Sequence, residues 1–139
     1  TMMIEDDTAY VANVGDSRGY LFRNGEIKQI TTDHSLVNEQ MQAGLISKQD
    51  ARKHAMKNII TRSVGYQEEV EIDLAKIPLE PNDKILLCSD GLTNMIDDQE
   101  IKRIVTANDV STACRELIQL ANINGGDDNI TVVLCAVTP

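Results

Sequence analysis

A short apolar strand that ends in an acid and a glycine constrains this chain most. The run from Ile85 to Ser89 is mostly apolar, which predicts a strand buried on both faces. Asp90 and Gly91 follow directly, and glycine lets the backbone turn sharply because it has no Cβ. A carboxylate at the end of a buried strand is held rigidly and suits a bound metal ion. The alternative is that Asp90 only caps the next turn or helix, since Asp and Gly are ordinary turn residues.

Two further stretches place an acid beside glycine at the end of an apolar strand. They are Gly15-Asp16-Ser17 and Gly125-Gly126-Asp127-Asp128. Carboxylates brought together repel one another unless a cation lies between them. Carboxylate-only ligation selects hard ions, so Mg²⁺ or Mn²⁺ is expected rather than zinc. Spacing alone leaves two interpretations open, a metal site at Asp16, Asp90 and Asp128 or three ordinary Asp-Gly turns.

Composition narrows the class of protein. The chain has 139 residues with 42% hydrophobic content, which predicts one globular domain. Its net charge of −9 argues against nucleic acid and against an anionic membrane surface. No apolar run approaches the ~20 residues of a membrane span, and the start has no signal-peptide pattern. Three cysteines in apolar settings predict core residues of a reducing compartment, so we expect a cytoplasmic protein.

The first part of the chain predicts an antiparallel meander. Strands are expected at Thr8–Val14, Arg18–Phe22 and Glu26–Thr31, and Asn24-Gly25 is a strong hairpin signal between the last two. The segment 31–65 differs, because its apolar residues recur at helical spacing and form only a thin stripe. We expect a small, mobile helical excursion over the sheet there.

The second part predicts strands and two helices. Residues 70–79 change the parity of their apolar positions, which indicates a bulged strand. Helices are expected at Asp98–Ala107, begun by the Asp97 and Glu100 capping box, and at Asp109–Asn122. The final strand, Ile130–Val137, is apolar nearly throughout and is therefore expected to be central in its sheet.

Five motifs in order resemble those of one known family. They are Val-Gly-Asp-Ser-Arg (14–18), Thr-Asp-His-Ser (32–35), Ile-Thr-Arg-Ser-Val-Gly (60–65), Ser-Asp-Gly-Leu (89–92) and Asp-Asn-Ile-Thr (128–131). The chain is similar to the bacterial branch of the PP2C-type, metal-dependent protein serine/threonine phosphatases. The resemblance covers essentially all 139 residues. It implies an α+β fold, the C-terminal half of a four-layer αββα sandwich of antiparallel sheets flanked by helices.

The resemblance also implies roles for individual residues. Asp90 and Asp128 match ligands of two catalytic Mn²⁺ or Mg²⁺ ions, and Asp16 matches a residue that helps to bind a third ion. Asp127 is the weaker of the two adjacent acids, because the family pattern aligns Asp-Asn. Residues 35–62, here called the flap segment, resemble a flap that borders the substrate entrance. The implied activity is hydrolysis of phosphoserine and phosphothreonine in proteins by a metal-activated water.

One departure from the family pattern is large. This sequence has no counterpart of three N-terminal segments of the family, Arg-x-x-Asn-Glu-Asp, Asp-Gly-x-Gly-Gly and Gly-Thr-Thr. In the family these segments supply a phosphate-binding arginine and an acid that bridges the two metal ions. We therefore expect residues 1–139 to be the C-terminal part of one phosphatase domain, inactive alone. The whole enzyme is expected to be a monomer, and this part alone to self-associate or to pair with the N-terminal half. A smaller departure is Ala55, where many relatives have proline.

Other residues are assigned more ordinary roles. Arg62 is expected to anchor the base of the flap segment, and His34 to be a turn or packing residue. No histidine stands near Ser17 or Ser89 in the sequence, so a serine nucleophile is improbable. Two rivals remain, a non-catalytic regulatory module of the same fold and an inactive fragment. Three acids at corresponding positions argue against the first, because a scaffold has no physical need to crowd them.

Overall fold

The computed structural model describes residues 1–138, so the last residue of the predicted 1–139 domain lies outside it. Within this range the strands are β1 (Met2–Glu5), β2 (Thr8–Asn13), β3 (Arg18–Arg23), β4 (Glu26–Gln29), β5 (Asp73–Pro78), β6 (Lys84–Cys88) and β7 (Val132–Ala136). The helices are α1 (Leu36–Gln42), α2 (Lys48–Lys53), α3 (Asp90–Thr93), α4 (Asp98–Ala107) and α5 (Val110–Ile123). The α+β prediction is confirmed.

The strands form two antiparallel sheets. The first has the order β1-β2-β5 and the second β4-β3-β6-β7. Two clusters of buried side chains hold the layers together. One joins the sheets through Ala9, Leu21 and Ile85, and the other joins the second sheet to α3, α4 and α5 through Leu86, Leu92 and neighbouring residues. The described chain therefore has three layers, sheet on sheet on helices.

The predicted meander is wrong at one point. Asn24 and Gly25 have positive φ values of 52° and 74°, as a two-residue hairpin turn requires, so the β3–β4 hairpin is confirmed. However, β2 pairs with β1 and β5, whereas β3 pairs with β4 and β6. The turn at residues 14–17 therefore carries the chain from one sheet to the other. Strand patterning cannot distinguish this crossing from a hairpin, because both leave the alternation of apolar residues unchanged.

Two other strand predictions need correction. β5 begins only at Asp73 and runs in unbroken register with β2, so the parity change has no bulge behind it. Leu74 points outward and is 80% exposed, which explains why it falls out of phase with Ile77. The last strand, β7, lies at the edge of its sheet within the described chain, and Val133 is half exposed. An apolar run in the sequence indicates that both faces of a strand are covered, but it does not indicate how many strands pair with it.

Helix boundaries follow the capping residues. Asp97 accepts the backbone N–H of Glu100, and α4 has the predicted bounds. Asp109 caps α5 by accepting the N–H groups of Ser111 and Thr112. Lys84, the first residue of β6, donates from its Nζ to two carbonyls at the end of α4, where the helix dipole favours a cation. These links fix the helical layer against the strand that leads to Asp90.

The flap segment folds as two short helices closed at its base. Ser35 and Ser47 cap α1 and α2, and Gly44 ends the first at φ 71°. An isolated antiparallel bridge pairs Ser35 with Ile60 through two backbone bonds, from Leu36 to Ile59 and from Thr61 to His34. Val37 and Ala51 are its buried apolar side chains among the helical residues described. The segment is therefore tied firmly at its base and only lightly along its length.

Candidate active site

Asp90 occupies the junction between β6 and the short helix α3. The strand delivers it rigidly, because Ile85 and Leu86 are almost fully buried on opposite faces. A Cβ built on Gly91 would clash with the carbonyl oxygen of Asn129, so any other residue would force one backbone to shift. Gly91 lies within α3 and has no positive φ, so it serves the close approach of two backbones and not the sharp turn expected from the sequence. That approach brings the loop before β7 alongside Asp90.

Ser89 binds the same loop through both of its polar groups. Its Oγ donates to the carbonyl of Asn129 at 2.9 Å and accepts the N–H of Thr131 at 3.0 Å. Its backbone N–H also donates to the carbonyl of Thr131. Asp128 lies next to this junction and is exposed, with Oδ1 accepting the N–H of Asn129. Ser89 therefore holds the loop of Asp128 against the strand end that carries Asp90, a role that no pattern in the sequence indicates.

Asp16 lies in the turn that crosses between the sheets and is half buried. Burial is the main cause that raises the pKa of Asp16 above its ordinary value, and the charge of Asp90 raises it further. Both carboxylates line one cavity of about 270 Å³. Two acids from distant parts of the sequence thus meet, as the metal-site interpretation requires.

The flap segment forms the opposite wall of this cavity. Its contributions include Val37 and Met41 from α1, Lys48 and Ala51 from the second helix, and Lys57. The remaining wall comes from the paired Arg18 and Asp33 and from residues 93–97, at the end of α3 and after it. An occupant beside Asp16 and Asp90 would therefore contact both the strand ends and the flap segment.

Arg18 was the nearest sequence candidate for an ion pair with Asp16, but it binds elsewhere. Its guanidinium makes a forked contact with Asp33, with Nη2 to Oδ2 at 2.6 Å. Arg18 also donates to the Tyr20 hydroxyl, which in turn donates to Asp98. The arginine is thus committed to a structural network, and its charge only partly offsets the causes that raise the pKa of Asp16.

Asp98 ties the flap segment to the core. Its Oδ2 lies 2.9 Å from Lys48 Nζ on α2, while Oδ1 accepts the Tyr20 hydroxyl. Burial acts to raise the pKa of Asp98, but the hydrogen bond and charge of Lys48 hold that pKa below its ordinary value. One carboxylate at the start of α4 therefore connects β3 to the flap segment.

His34 and Arg62 occupy the base of the flap segment. Arg62 donates to Asp73 Oδ1 at 2.8 Å and to the carbonyl of Glu71, which confirms its predicted anchoring role. His34 is buried and its Nε2 lies 3.1 Å from Asp73 Oδ2. The hydrogen bond with His34 is the main cause that lowers the pKa of Asp73, aided by Arg62 and opposed by partial burial. Asp73 had no signal in the sequence, since an acid at the start of a strand is common.

The donor set fits a hard divalent cation, although it is not gathered into a complete site. In residues 1–138, no group of three or more His, Cys, Asp and Glu side chains is close enough to hold a metal ion. Asp16 and Asp90 nevertheless face one cavity and repel each other there, which a cation would relieve. Oxygen donors of this kind suit Mg²⁺ and Mn²⁺. Asp128 stands beside them on a loop fixed by Ser89.

The cysteines match the predicted core setting only in part. All three are free, but Cys114 and Cys135 are half-buried and only Cys88 is buried. Burial raises the pKa of Cys88 to about 12, which makes it an inert core residue. Within the described chain, no helix combines the length and the apolar character that a membrane crossing needs.

Comparison with known proteins identifies the family. The profile of the family described as protein phosphatase 2C matches residues 1–130. The serine/threonine phosphatase Stp of Listeria welshimeri is 48% identical over 125 residues, which cover 89% of this chain and 50% of that protein. The chain thus spans about half the length of the curated relatives it matches.

Solved structures agree with the sequence match. The serine/threonine phosphatase PstP/Ppp of Mycobacterium tuberculosis superimposes with a TM-score of 0.95 at 34% identity, covering 99% of this chain and 58% of that one. A catalytic domain of PstP in complex with two manganese ions superimposes with a TM-score of 0.87 at 34% identity, covering 98% of this chain and 56% of that one. The two sheets, the helical layer and the five motifs therefore have a common explanation. The chain belongs to the protein phosphatase 2C family.

Proposed function

We propose that the natural protein carrying this chain is a metal-dependent phosphatase that hydrolyses phosphoserine and phosphothreonine in proteins. The observation that carries the proposal is the meeting of Asp16 and Asp90 in one cavity, beside the loop of Asp128. Membership of the family supplies the reaction class. The phosphoprotein substrates are part of the proposal, as is a cytoplasmic location, which the three free cysteines favour.

The acids have separate roles in this proposal. Asp90 and Asp128 would hold two catalytic Mn²⁺ or Mg²⁺ ions, and Asp16 would help to hold a third. The manganese-bound relative supports the choice of ion. Bound there, such ions would supply an acidified water as the nucleophile and would offset the charge of the phosphoryl oxygens.

The chain's own residues prepare that reaction by positioning. The buried strand β6 and the narrow fit at Gly91 fix Asp90, and Ser89 fixes the loop of Asp128. Preset geometry of this kind lowers the entropy that a reaction must lose. The flap segment covers the cavity and would limit the access of bulk water and of substrate. Arg18 is engaged with Asp33, which leaves Lys57 and the Asp98-bound Lys48 as the other cations that line the cavity.

The regulatory-module alternative makes a different prediction. A scaffold of this fold would not depend on the carboxylates, whereas a phosphatase requires them for turnover. The test is phosphate release by the natural protein from phosphoserine and phosphothreonine peptides, with Mn²⁺ and with a chelator, and a phosphotyrosine peptide as the control. We expect release that requires the metal and is at least tenfold faster from the first two peptides. Release unaffected by the chelator, or none with any divalent ion, would contradict the proposal.

A further inference from the structure

His34 lies where three parts of the structure meet. It is 6% exposed and sits between the crossing turn at 14–17, the base of the flap segment and the first residue of β5. Its backbone carbonyl accepts the N–H of Thr61, and its backbone N–H donates to the carbonyl of Gly15 at 3.0 Å. The main chain of His34 is thus already fixed without help from the imidazole. The hydrogen bonds of the imidazole ring must therefore serve another purpose than fixing the main chain of His34.

The ring makes a second bond to the same glycine. The N–H of Gly15 points at His34 Nδ1 across 3.0 Å. A backbone N–H can only donate, so Nδ1 must be the unprotonated nitrogen of a neutral ring. The ring proton therefore lies on Nε2 and donates to Asp73 Oδ2 at 3.1 Å. Arg62 Nη1 also lies 3.0 Å from Nε2, but its own protons are donated to Asp73 Oδ1 and to the carbonyl of Glu71. Both polar groups of Gly15 are bound by His34, and the Asp73 contact fixes the tautomer that makes this possible.

Gly15 is the residue that aims Asp16. Its φ of 107° lies in the region that L residues rarely adopt, and a glycine has no side chain by which the turn could be anchored. The turn is held through its backbone instead, by His34 and by the Asn13 amide that reaches the carbonyl of Gly15 at 3.4 Å. Without these bonds the turn could rotate outward and relieve the repulsion between Asp16 and Asp90.

We propose that His34 is a positioning residue, whose Nδ1 holds the Gly15 N–H and thereby keeps Asp16 beside Asp90, ready to share a divalent cation. The inference rests on the proposed function, since it assigns a metal to Asp16. The ring itself touches neither substrate nor metal in this account. Arg62 and Asp73 act one step further away by setting the orientation of the imidazole.

The test compares His34→Asn with His34→Ala in the natural protein. The Oδ1 of asparagine occupies nearly the same place as Nδ1 of histidine, so it can accept the Gly15 N–H. Both variants lose the Asp73 contact and should lose similar thermal stability. Only His34→Ala loses the acceptor. A difference between the two variants therefore reports the acceptor and not the general packing of the ring.

Two measurements are needed, one of them free of metal. Hydrogen exchange of the Gly15 amide, followed by NMR without divalent ions, should be slow in the wild type and in His34→Asn. In His34→Ala it should be roughly 2- to 12-fold faster, the range that one hydrogen bond provides. Mn²⁺ titrations followed by electron paramagnetic resonance should show one class of sites weakened by Asp16→Asn. His34→Ala should weaken that class by a similar 2- to 12-fold, and His34→Asn should restore it.

Several results would overturn the inference. They are wild-type Gly15 exchange or Mn²⁺ affinity in His34→Ala, equal weakening in both His34 variants, and no change of Mn²⁺ binding in Asp16→Asn. If the expected pattern appears in a protein that releases no phosphate from any phosphopeptide, the proposed function fails while the role of His34 stands. The two ideas can therefore fail separately.

Discussion

At the scale of single residues, the site depends on a few close backbone contacts. Gly91 leaves room for the carbonyl of Asn129, and Ser89 binds the same carbonyl and the backbone of Thr131, just before β7. Backbone contacts therefore fix the positions of Asp90 and Asp128 relative to each other, independently of any ligand. Side chains elsewhere, such as the Arg23–Asp83 pair, contribute to stability without touching the cavity.

Replacing Gly91 by alanine should be strongly destabilising. The added Cβ would clash with the Asn129 carbonyl, and neither backbone can move without breaking the Ser89 bonds. We expect a loss of about 2–3 kcal/mol in the free energy of unfolding, the upper range for overpacking. Gly44→Ala is the matched control, because its surroundings are open and only its φ of 71° is unfavourable. Urea unfolding should rank Gly91→Ala as the worse variant, and the reverse order would contradict the contact.

Asp83 should make stability depend on pH in the acid range. Its carboxylate is buried and accepts Arg23 Nε and Nη2 at 2.9 and 2.6 Å, and these bonds are the main cause that lowers the pKa of Asp83. The folded pKa lies below the unfolded one, about 3.9, so the stabilisation is complete above that pH. It is lost as the pH falls through the lowered value.

Urea unfolding between pH 3 and 7 measures this dependence. Asp83→Asn should be less stable than the wild type by about 1.5–3 kcal/mol at pH 7, the range for hydrogen bonds to charged groups. The difference should shrink toward pH 3. Glu80→Gln, which alters the exposed partner of the same arginine, should change stability far less. A difference between Asp83→Asn and the wild type that is independent of pH would contradict the assignment.

At the scale of secondary-structure elements, the sequence predicted the features that residues close together in the chain determine. The Asn24-Gly25 hairpin and the Asp97 cap of α4 were predictable because the residues that set them are close in the sequence, although the Glu100 carboxylate binds Arg103 and does not complete the predicted capping box. The crossing between sheets at 14–17 and the edge position of β7 were not, because they depend on which distant strand supplies the partner. The acids differ in the same way. Asp90 was predictable because it directly follows an apolar strand, whereas nothing near Asp73 in the sequence indicates its partners His34 and Arg62.

The candidate site was predictable through its motifs and less so through its supports. Asp16 and Asp90 do share a cavity, whereas Asp128 is exposed on the neighbouring loop. The parts that hold these acids, Ser89 and His34, make bonds over 40 and 19 residues of sequence. Such bonds have no periodicity to reveal them, so only the fold shows them.

The flap segment should open more readily than the central strand. Few of its side chains are buried, and Lys48 is 73% exposed where it joins Asp98. Amide exchange should be faster in residues 36–53 than in 84–88. Lys48→Met should speed it a further 1.5- to 5-fold, as for loss of a surface pair of about 0.2–1 kcal/mol. Lys53→Met, on the same helix, is the control, and equal protection of both regions would contradict the prediction.

At the scale of the whole molecule, the described chain leaves apolar surface uncovered. Met3, Ile4 and Leu74 on the first sheet and Val133 on the edge strand β7 are each 49% exposed or more. Exposed apolar faces and open strand edges favour association. The relatives are about twice as long as this chain, so a larger domain would have residues to cover these surfaces.

The isolated 139-residue chain should therefore associate and lack useful activity. Light scattering should give a mass above the 15.4 kDa of one chain, and Mn²⁺-dependent phosphate release should be negligible. Adding a separately produced N-terminal half from the natural protein should lower the association and restore some release. A monomer that hydrolyses phosphoserine peptides at roughly 1 per second or more would contradict both expectations.

The central claim, that Asp90 and Asp128 hold catalytic metal ions, is tested most directly by two adjacent substitutions. Asp128→Asn and Asp127→Asn remove equal charge from the same exposed loop. The measurement is kcat/KM for Mn²⁺-dependent phosphate release from a phosphoserine peptide by the natural protein. Asp128→Asn should lower it by more than about 100-fold, beyond the loss typical of an outer-shell partner, and Asp127→Asn by less than about threefold. Equal values for the two variants, or near-normal turnover by Asp128→Asn, would contradict the account.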